Sequence, residues 1–175
     1  MPESAPLPQA ASPATPVQDR RWTAWLALAA LVIALDQWSK AAITAKLHEG
    51  ELLRLTGWFD LVLAYTRGAA VSLLNQDGLL PRVLFSVVAL VASVALTGLI
   101  RSQRGRWPAQ LGAALILGGA LGNLADRLRL GAVVDFIQWH LGQAYWPAFN
   151  VADSAISVGA VVLVVYSLRA SGASR

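Results

Sequence analysis

The sequence contains no cysteine and few charged residues, and both absences restrict the class of protein. Without cysteine, disulfides, thiol chemistry and cysteine-ligated metal sites are excluded. Charged residues make up 14% of the chain and hydrophobic residues 56%, whereas a soluble domain carries about 25% charged residues. The net charge of +4 does not indicate nucleic-acid binding, because the arginines are scattered and no basic patch with interleaved aromatic residues exists. The composition favours a single-domain membrane protein.

Four apolar runs are long enough to cross a bilayer, at residues 22–47, 83–100, 109–125 and 151–168. A spanning helix needs about 17–25 mostly apolar residues. The first run follows two arginines but has no small-x-small cleavage site, so it is predicted to be a retained helix rather than a signal peptide. In the third run, Ala114, Gly118 and Gly122 recur every fourth residue, which predicts a face for close helix packing. We therefore predict an all-α membrane protein built as a four-helix transmembrane bundle.

The segments outside the runs give a domain plan and an orientation. Residues 1–19 are predicted to be a disordered tail, residues 20–168 a single membrane domain and residues 169–175 a short C-terminal tail. Loop 101–108 carries three arginines and no acid, which favours a cytoplasmic position for the loop and both termini. Segments 48–82 and 126–150 then face outward. The first of these is rich in aromatic and β-branched residues before turn signals, which predicts short strands on the membrane surface.

Four acidic residues lie where a carboxylate is costly: Asp36, Asp126, Asp135 and Asp153. At a rise of about 1.5 Å per residue, Asp36, Asp126 and Asp153 lie about 21, 25 and 22 Å from the cytoplasmic ends of their helices. Asp135 lies in the connection between the third and fourth spans, on the same side. All four are thus expected near the outer edge of a hydrocarbon core about 30 Å thick. Ionisable groups at this depth indicate function.

Two of these acids also have a structural interpretation that depends on nearby cations. Asp36 and Lys40 are spaced i, i+4 on a helix and can form a salt bridge. Asp126 lies near the C-terminal end of a helix, which is unfavourable for a negative charge, so Arg127 or Arg129 is expected to pair with it. Structural pairing and a role in the site both stay open for these two acids.

The other two acids are the better candidates for chemistry. Asn150 is a good N-cap and places Asp153 at N3, close to a capping box, so capping alone could explain Asp153. Asp135 stands between apolar residues and is hard to explain as a solvated loop residue. His48 and His140 have no metal-site spacing and are expected at the surface or interface. Two neighbouring aspartates that share a proton can activate water and polarise a carbonyl. Such a pair can hydrolyse a peptide without metal or cofactor.

Four sequence blocks resemble the lipoprotein signal peptidase family, signal peptidase II. They are "DQWSK" at 36–40, "RGAAVSLL" at 67–74, "GGALGNLADRLRLGAVVDFI" at 118–137 and "FNVADSAISVG" at 149–159. The resemblance implies an integral membrane aspartic endopeptidase with four spans, a small β-rich cradle and a surface helix on the outer, periplasmic side. Members of the family cleave prolipoproteins just before a cysteine that carries a diacylglyceryl group, and they release the signal peptide.

The resemblance also implies roles for individual residues. The catalytic pair would be Asp135 and Asp153. Substrate-binding and supporting positions fall on Asp36, Lys40, Thr66, Gly68, Asn123, Asp126, Arg127 and Asn150. Thr66 stands where the family usually has asparagine, and Val71 where it has an aromatic residue; the Thr66 hydroxyl can still form a hydrogen bond but lacks an amide.

The resemblance further implies partners and a location. Lipid-modified prolipoproteins are the expected substrates, membrane lipid surrounds the protein, and globomycin is the expected inhibitor. The protein is expected in the bacterial inner membrane as a monomer, with its active site near the outer face and with no cofactor, metal or nucleic acid. Two other classes stay open: a small transporter with an acidic proton relay, and an assembly protein whose acids only cap and pair. Because the acids cluster at one face, no relay path across the bilayer is expected.

Overall fold

The computed structural model describes residues 22–67, 79–103 and 105–172. Within these ranges the chain forms four helices and four strands: α1 Trp22–Thr44, β1 Leu52–Arg54, β2 Phe59–Thr66, α2 Leu79–Ser102, α3 Trp107–Leu130, β3 Val133–Leu141, β4 Ala144–Tyr145 and α4 Val151–Gly172. All four helices are long and apolar enough to cross a membrane, as predicted. The expected tail at residues 1–19 and the positions Gly68 and Val71 lie outside the described residues. Helix α4 continues to Gly172, into the segment expected to form the C-terminal tail.

Helix α3 packs against α1 through its small residues, which confirms the predicted packing face. A Cβ atom added to Gly118 would lie 2.7 Å from the carbonyl oxygen of Ala29 on α1. A Cβ atom added to Gly122 would lie 2.7 Å from Oδ2 of Asp36. Glycine is therefore required at both positions for this close approach. One hydrophobic cluster lies where α1, α2 and α3 meet: Ala29, Ile100, Ala113, Ala114 and Leu117.

The strands form one antiparallel sheet in the order β1-β2-β3-β4. Strands β1 and β2 confirm the strands predicted in segment 48–82. Segment 126–150 connects the third and fourth spans as expected, but it also forms β3 and β4, which the sequence analysis did not predict, because the apolar run around Asp135 pairs along β2. Residues 48–67 contain no helix after the end of α1, and residues 68–78 lie outside the described part.

A second hydrophobic cluster fixes the sheet to the end of α1. It comprises Ile43 and Leu47 from the end of α1 and the turn after it, Leu63 from β2, and Val134 and Phe136 from β3. Helix α3 ends at Leu130 and is capped by Gly131, whose backbone is left-handed (φ 75°) and whose N–H donates to the carbonyl oxygen of Arg127 at 3.1 Å. Glycine adopts this conformation without a steric cost. The chain then turns directly into β3, which carries Asp135 next to the start of α4.

Candidate active site

Asp153 is held at the start of α4 by a capping box, as the sequence predicts. The Oδ1 atom of Asn150 accepts a 2.9 Å hydrogen bond from the backbone N–H of Asp153. In return, the backbone N–H of Asn150 donates to Oδ2 of Asp153 at 3.3 Å. The helix dipole at this N-terminus favours a negative charge. Capping therefore fixes the carboxylate in place and leaves its side chain partly exposed.

Asp135 is positioned by the alternation of side chains along β3. Its neighbours Val134 and Phe136 point into the cluster below the sheet, so Asp135 points to the opposite face. Asp135 pairs with Ala64 across the strands, which places Thr66 at the diagonal position on the same face. The Thr66 hydroxyl oxygen lies 2.5 Å from Oδ2 of Asp135. Asp135 itself is 4% exposed.

Two buried amides join the aspartates. The Nδ2 atom of Asn150 donates to Oδ1 of Asp135 at 2.7 Å, so Asn150 contacts both carboxylates. The Nδ2 atom of Asn123, on α3, donates to Oδ1 of Asp153 at 2.7 Å. The two amides also touch each other, since Asn150 Nδ2 lies 3.2 Å from Asn123 Oδ1. The structure thus brings Asp135, Asp153, Asn123 and Asn150 into one hydrogen-bonded group.

A buried ionic centre lies beneath this group. The ammonium of Lys40 is 2.8 Å from Asp36 and 2.7 Å from Asp126, and all three side chains are almost fully buried. The predicted i, i+4 pair of Asp36 and Lys40 is confirmed. The expected pairing of Asp126 with Arg127 or Arg129 was wrong: Lys40 on α1 is its partner, because the two helices meet closely at Gly122.

The ionic centre also holds the backbone on either side of the aspartates. Oδ1 of Asp36 accepts the N–H of Ala152, the residue before Asp153, at 2.9 Å. Oδ2 of Asp126 accepts the N–H of Val134, the residue before Asp135, at 3.2 Å. Lys40 therefore holds both carboxylates in place: Asp126 anchors β3, and Asp36 anchors the start of α4.

Gln37 is a supporting residue that the sequence reasoning missed. Its amide nitrogen donates to Oδ1 of Asp126 at 2.9 Å, and its amide oxygen accepts from Arg129 at 2.8 Å. The available signal was a second polar residue beside Asp36 in an otherwise apolar run. Arg127 does not pair with Asp126 but donates to the backbone oxygen of Asn123 at 3.3 Å.

The environment of Asp135 favours its protonated form. Burial raises the pKa of Asp135 from its usual 3.8 to about 6, and the negative charge of Asp153 acts in the same direction. Hydrogen bonds from Thr66 and Asn150 and the charge of Lys40 lower this pKa, but the burial effect is larger. A carboxyl group of this kind can hold a proton near neutral pH, which general acid catalysis requires.

A separate buried pair lies elsewhere in the sheet. His140 on β3 is 3.4 Å from Asp60 on β2, and both side chains are buried. Of the two positions expected for His140, surface or interface, the solvent-exposed surface is wrong, because the strand pairing places the ring against Tyr145, on which it stacks. His48 is exposed, as expected. Among the described residues, no group of three acidic or histidine side chains could hold a metal ion.

Four span-length helices with two adjoining aspartates at one end have the architecture of an integral membrane aspartic peptidase. Comparisons with known proteins identify the family. The family model for signal peptidase (SPase) II matches residues 28–169. The chain therefore belongs to the signal peptidase II family, as the sequence blocks predict. It is a multi-pass bacterial membrane protein and an aspartic peptidase.

Individual relatives agree with this assignment. The chain is 42% identical over 164 residues to the lipoprotein signal peptidase of Paraburkholderia phytofirmans, covering 94% of this chain and 95% of that protein. It is 46% identical over 145 residues to the lipoprotein signal peptidase of Ralstonia nicotianae, covering 83% and 84%. A bacterial membrane enzyme solved at 1.9 Å by the in meso method superposes with a TM-score of 0.75 at 26% identity, covering 83% of this chain and 93% of that one.

Proposed function

We propose that the chain removes the signal peptide from diacylglyceryl-modified prolipoproteins by cleaving just before the lipidated cysteine, with water activated by Asp135 and Asp153. The observation that carries the mechanism is the position of Asn150, which donates to both carboxylates. The negative charge of Asp153 raises the pKa of Asp135, and we propose that the pair therefore holds one proton. Family membership supports the substrate, because the relatives are lipoprotein signal peptidases.

The remaining predicted residues support this pair in different ways. Asp36, Lys40 and Asp126 hold the backbone beside the aspartates, and Asn123 orients Asp153. Thr66 contacts Asp135 directly. Arg127 interacts electrostatically with both aspartates, and we propose that it meets the substrate. Gly68, which lies outside the described residues, is proposed as a second substrate-binding position from the family resemblance alone. The enzyme is further proposed to act as a monomer. Globomycin is proposed to inhibit it by occupying this site.

The decisive experiment is cleavage of a lipidated prolipoprotein by purified variants, followed by gel shift. Asp135→Asn and Asp153→Asn should each abolish cleavage while the protein remains folded. Asp60→Asn is the matched control, because Asp60 is a buried carboxylate in the same sheet that contacts neither aspartate. It should retain cleavage, and globomycin should inhibit both this variant and the wild type. Normal turnover by Asp135→Asn or Asp153→Asn would contradict the proposal.

We also propose that both termini and loop 101–108 are cytoplasmic, so that the active site lies near the outer face. The acids of the described spans, Asp36, Asp126 and Asp153, lie at the end of the bundle that carries the sheet, which supports a single reactive face. Because the chain has no cysteine, a single introduced cysteine can report its own location. In intact cells without an outer membrane, an impermeant maleimide should label Glu49→Cys and not Ser102→Cys. The reverse labelling would overturn the orientation.

A further inference from the structure

The direction of the hydrogen bonds around the aspartates follows from groups that can only donate. The ammonium of Lys40 lies 3.0 Å from Oδ1 of Asn123. An ammonium has donors only, so the atom that faces it must be the amide oxygen of Asn123. The amide nitrogen of Asn123 must then face Asp153, and Oδ1 of Asp153 must accept its hydrogen bond. The ammonium of Lys40 on α1 thereby determines that Oδ1 of Asp153 acts as a hydrogen-bond acceptor.

The amide of Asn150 is oriented by the same logic. Its Oδ1 atom accepts from the backbone N–H of Asp153, and a backbone N–H can only donate. Its Nδ2 atom therefore donates to Oδ1 of Asp135. The backbone N–H of Asn150 donates to Oδ2 of Asp153. Three of the four carboxylate oxygens thus face groups that cannot accept a proton.

The fourth oxygen, Oδ2 of Asp135, faces the hydroxyl of Thr66, which can either donate or accept. A protonated carboxyl oxygen is a poor acceptor, so a proton on any of the other three would weaken an existing hydrogen bond. We infer that the shared proton resides on Oδ2 of Asp135, where it is donated to Thr66, and that Asp153 is the ionised base. The inference rests on the proposed peptidase mechanism and assigns the role of each aspartate within it.

Burial and charge also favour a protonated Asp135 and an ionised Asp153. Asp135 is 4% exposed, whereas Asp153 is partly exposed at the N-terminus of α4. A buried carboxyl group favours its neutral form, and a helix N-terminus favours an anion. The raised pKa of Asp135, about 6, has burial as its largest cause.

The assignment gives a balanced reaction. The carboxylate of Asp153 takes a proton from water as the water oxygen bonds to the carbon of the scissile peptide. Asp135 gives its Oδ2 proton to the carbonyl oxygen, which yields a neutral gem-diol. Asp153 then transfers its proton to the leaving nitrogen as the C–N bond breaks, and Asp135 recovers a proton from a gem-diol hydroxyl. Both aspartates return to their starting states.

The test is the pH profile of kcat/KM for Thr66→Val, with Thr66→Ser as the control that keeps the hydroxyl. A hydrogen bond to an ionised carboxylate is stronger than one to the neutral acid. The Thr66 bond therefore lowers the pKa of Asp135, and removing it raises this pKa. Since Asp135 acts as the acid, the alkaline limb should move to higher pH by about half a unit or more in Thr66→Val. Thr66→Ser should keep the wild-type profile.

The competing assignment makes a different prediction. If Asp135 were the ionised base, loss of Thr66 would move the acidic limb and leave the alkaline limb in place. A shift confined to the acidic limb, or no shift in either limb, would overturn the inference while the peptidase function still stood. If the proposed peptidase mechanism itself is wrong, Asp135→Asn or Asp153→Asn will still cleave the lipidated prolipoprotein.

A second measurement covers the case in which Thr66→Val does not fold. Infrared spectra of the wild type below about pH 6 should contain a carboxylic-acid C=O band that is absent from Asp135→Asn. If this band persists in Asp135→Asn and disappears in Asp153→Asn, the proton belongs to Asp153 and the inference is wrong.

Discussion

The backbone N–H of Val134 donates a 3.2 Å hydrogen bond to Asp126, one residue before Asp135. Asp126 is in turn held by the ammonium of Lys40 at 2.7 Å. Strand β3 is therefore tied to α1 and α3 through a buried ion pair rather than through apolar packing alone. The position of Asp135 therefore depends on the buried charges of Lys40 and Asp126, and removing one of these charges should destabilise the fold.

Lys40→Met is expected to destabilise the fold strongly. The change leaves Asp36 and Asp126 buried without their shared cation. Breaking a buried ion pair by removing one partner costs about 3–5 kcal/mol. Lys46→Met is the matched control, because Lys46 is exposed and follows the end of α1; it should change stability by less than about 0.5 kcal/mol. Thermal or denaturant unfolding in detergent measures both, and equal stabilities would contradict the structural role of Lys40.

Gly122→Ala is expected to impair both folding and cleavage. The added Cβ atom would lie 2.7 Å from Oδ2 of Asp36 and would push that carboxylate from Lys40. Overpacking of this kind costs about 1–3 kcal/mol. Gly98→Ala on α2 is the control, because a Cβ atom there meets nothing within 4 Å. It should stabilise the helix by up to about 1 kcal/mol. Unfolding midpoints should therefore fall for Gly122→Ala and not for Gly98→Ala, and only Gly122→Ala should lose cleavage activity.

Features set by short sequence spacing were predictable. The four spans follow from apolar length, the Asp36–Lys40 pair from its i, i+4 spacing, and the capping box from the three-residue step between Asn150 and Asp153. Each depends on neighbours along one helix, so the geometry of that helix is sufficient. The apolar neighbours of Asp135 already marked it as a candidate, and the family resemblance then paired it with Asp153.

Features that depend on contacts between distant segments were not predictable. The apolar run around Asp135 is too short to distinguish a strand from a buried connection by its periodicity. Its register with β2 decides that Thr66 contacts Asp135, and no local pattern contains that register. Likewise, Asp126 has two arginines close by in sequence, yet the close approach of α1 gives it Lys40 instead.

The raised pKa of Asp135 predicts a pH dependence of stability. Its pKa is about 6 in the folded protein against a usual 3.8, so between these values the folded state binds more protons than the unfolded state. Stability from this group is therefore present below about pH 4 and decreases as the pH rises through about 6. Asp135→Asn should lack this decrease, so it should gain stability relative to the wild type at neutral pH. The measurement is the free energy of unfolding of both proteins as a function of pH. If the two profiles run parallel across this range, Asp135 is not protonated in the folded protein.

Variants of Asn150 separate capping from alignment of the two aspartates. Its Oδ1 atom caps α4, while its Nδ2 atom contacts Asp135. Asn150→Ala removes both contacts and should cost about 1 kcal/mol or more in stability for the lost cap. Asn150→Ser restores a capping oxygen but has no group that reaches Asp135, so it should recover part of that stability and none of the lost kcat. Unfolding and single-turnover cleavage, measured on both variants, test this separation. If the serine variant regains kcat in proportion to its stability, Asn150 acts only as a cap, and the link that it forms between the two carboxylates has no part in catalysis.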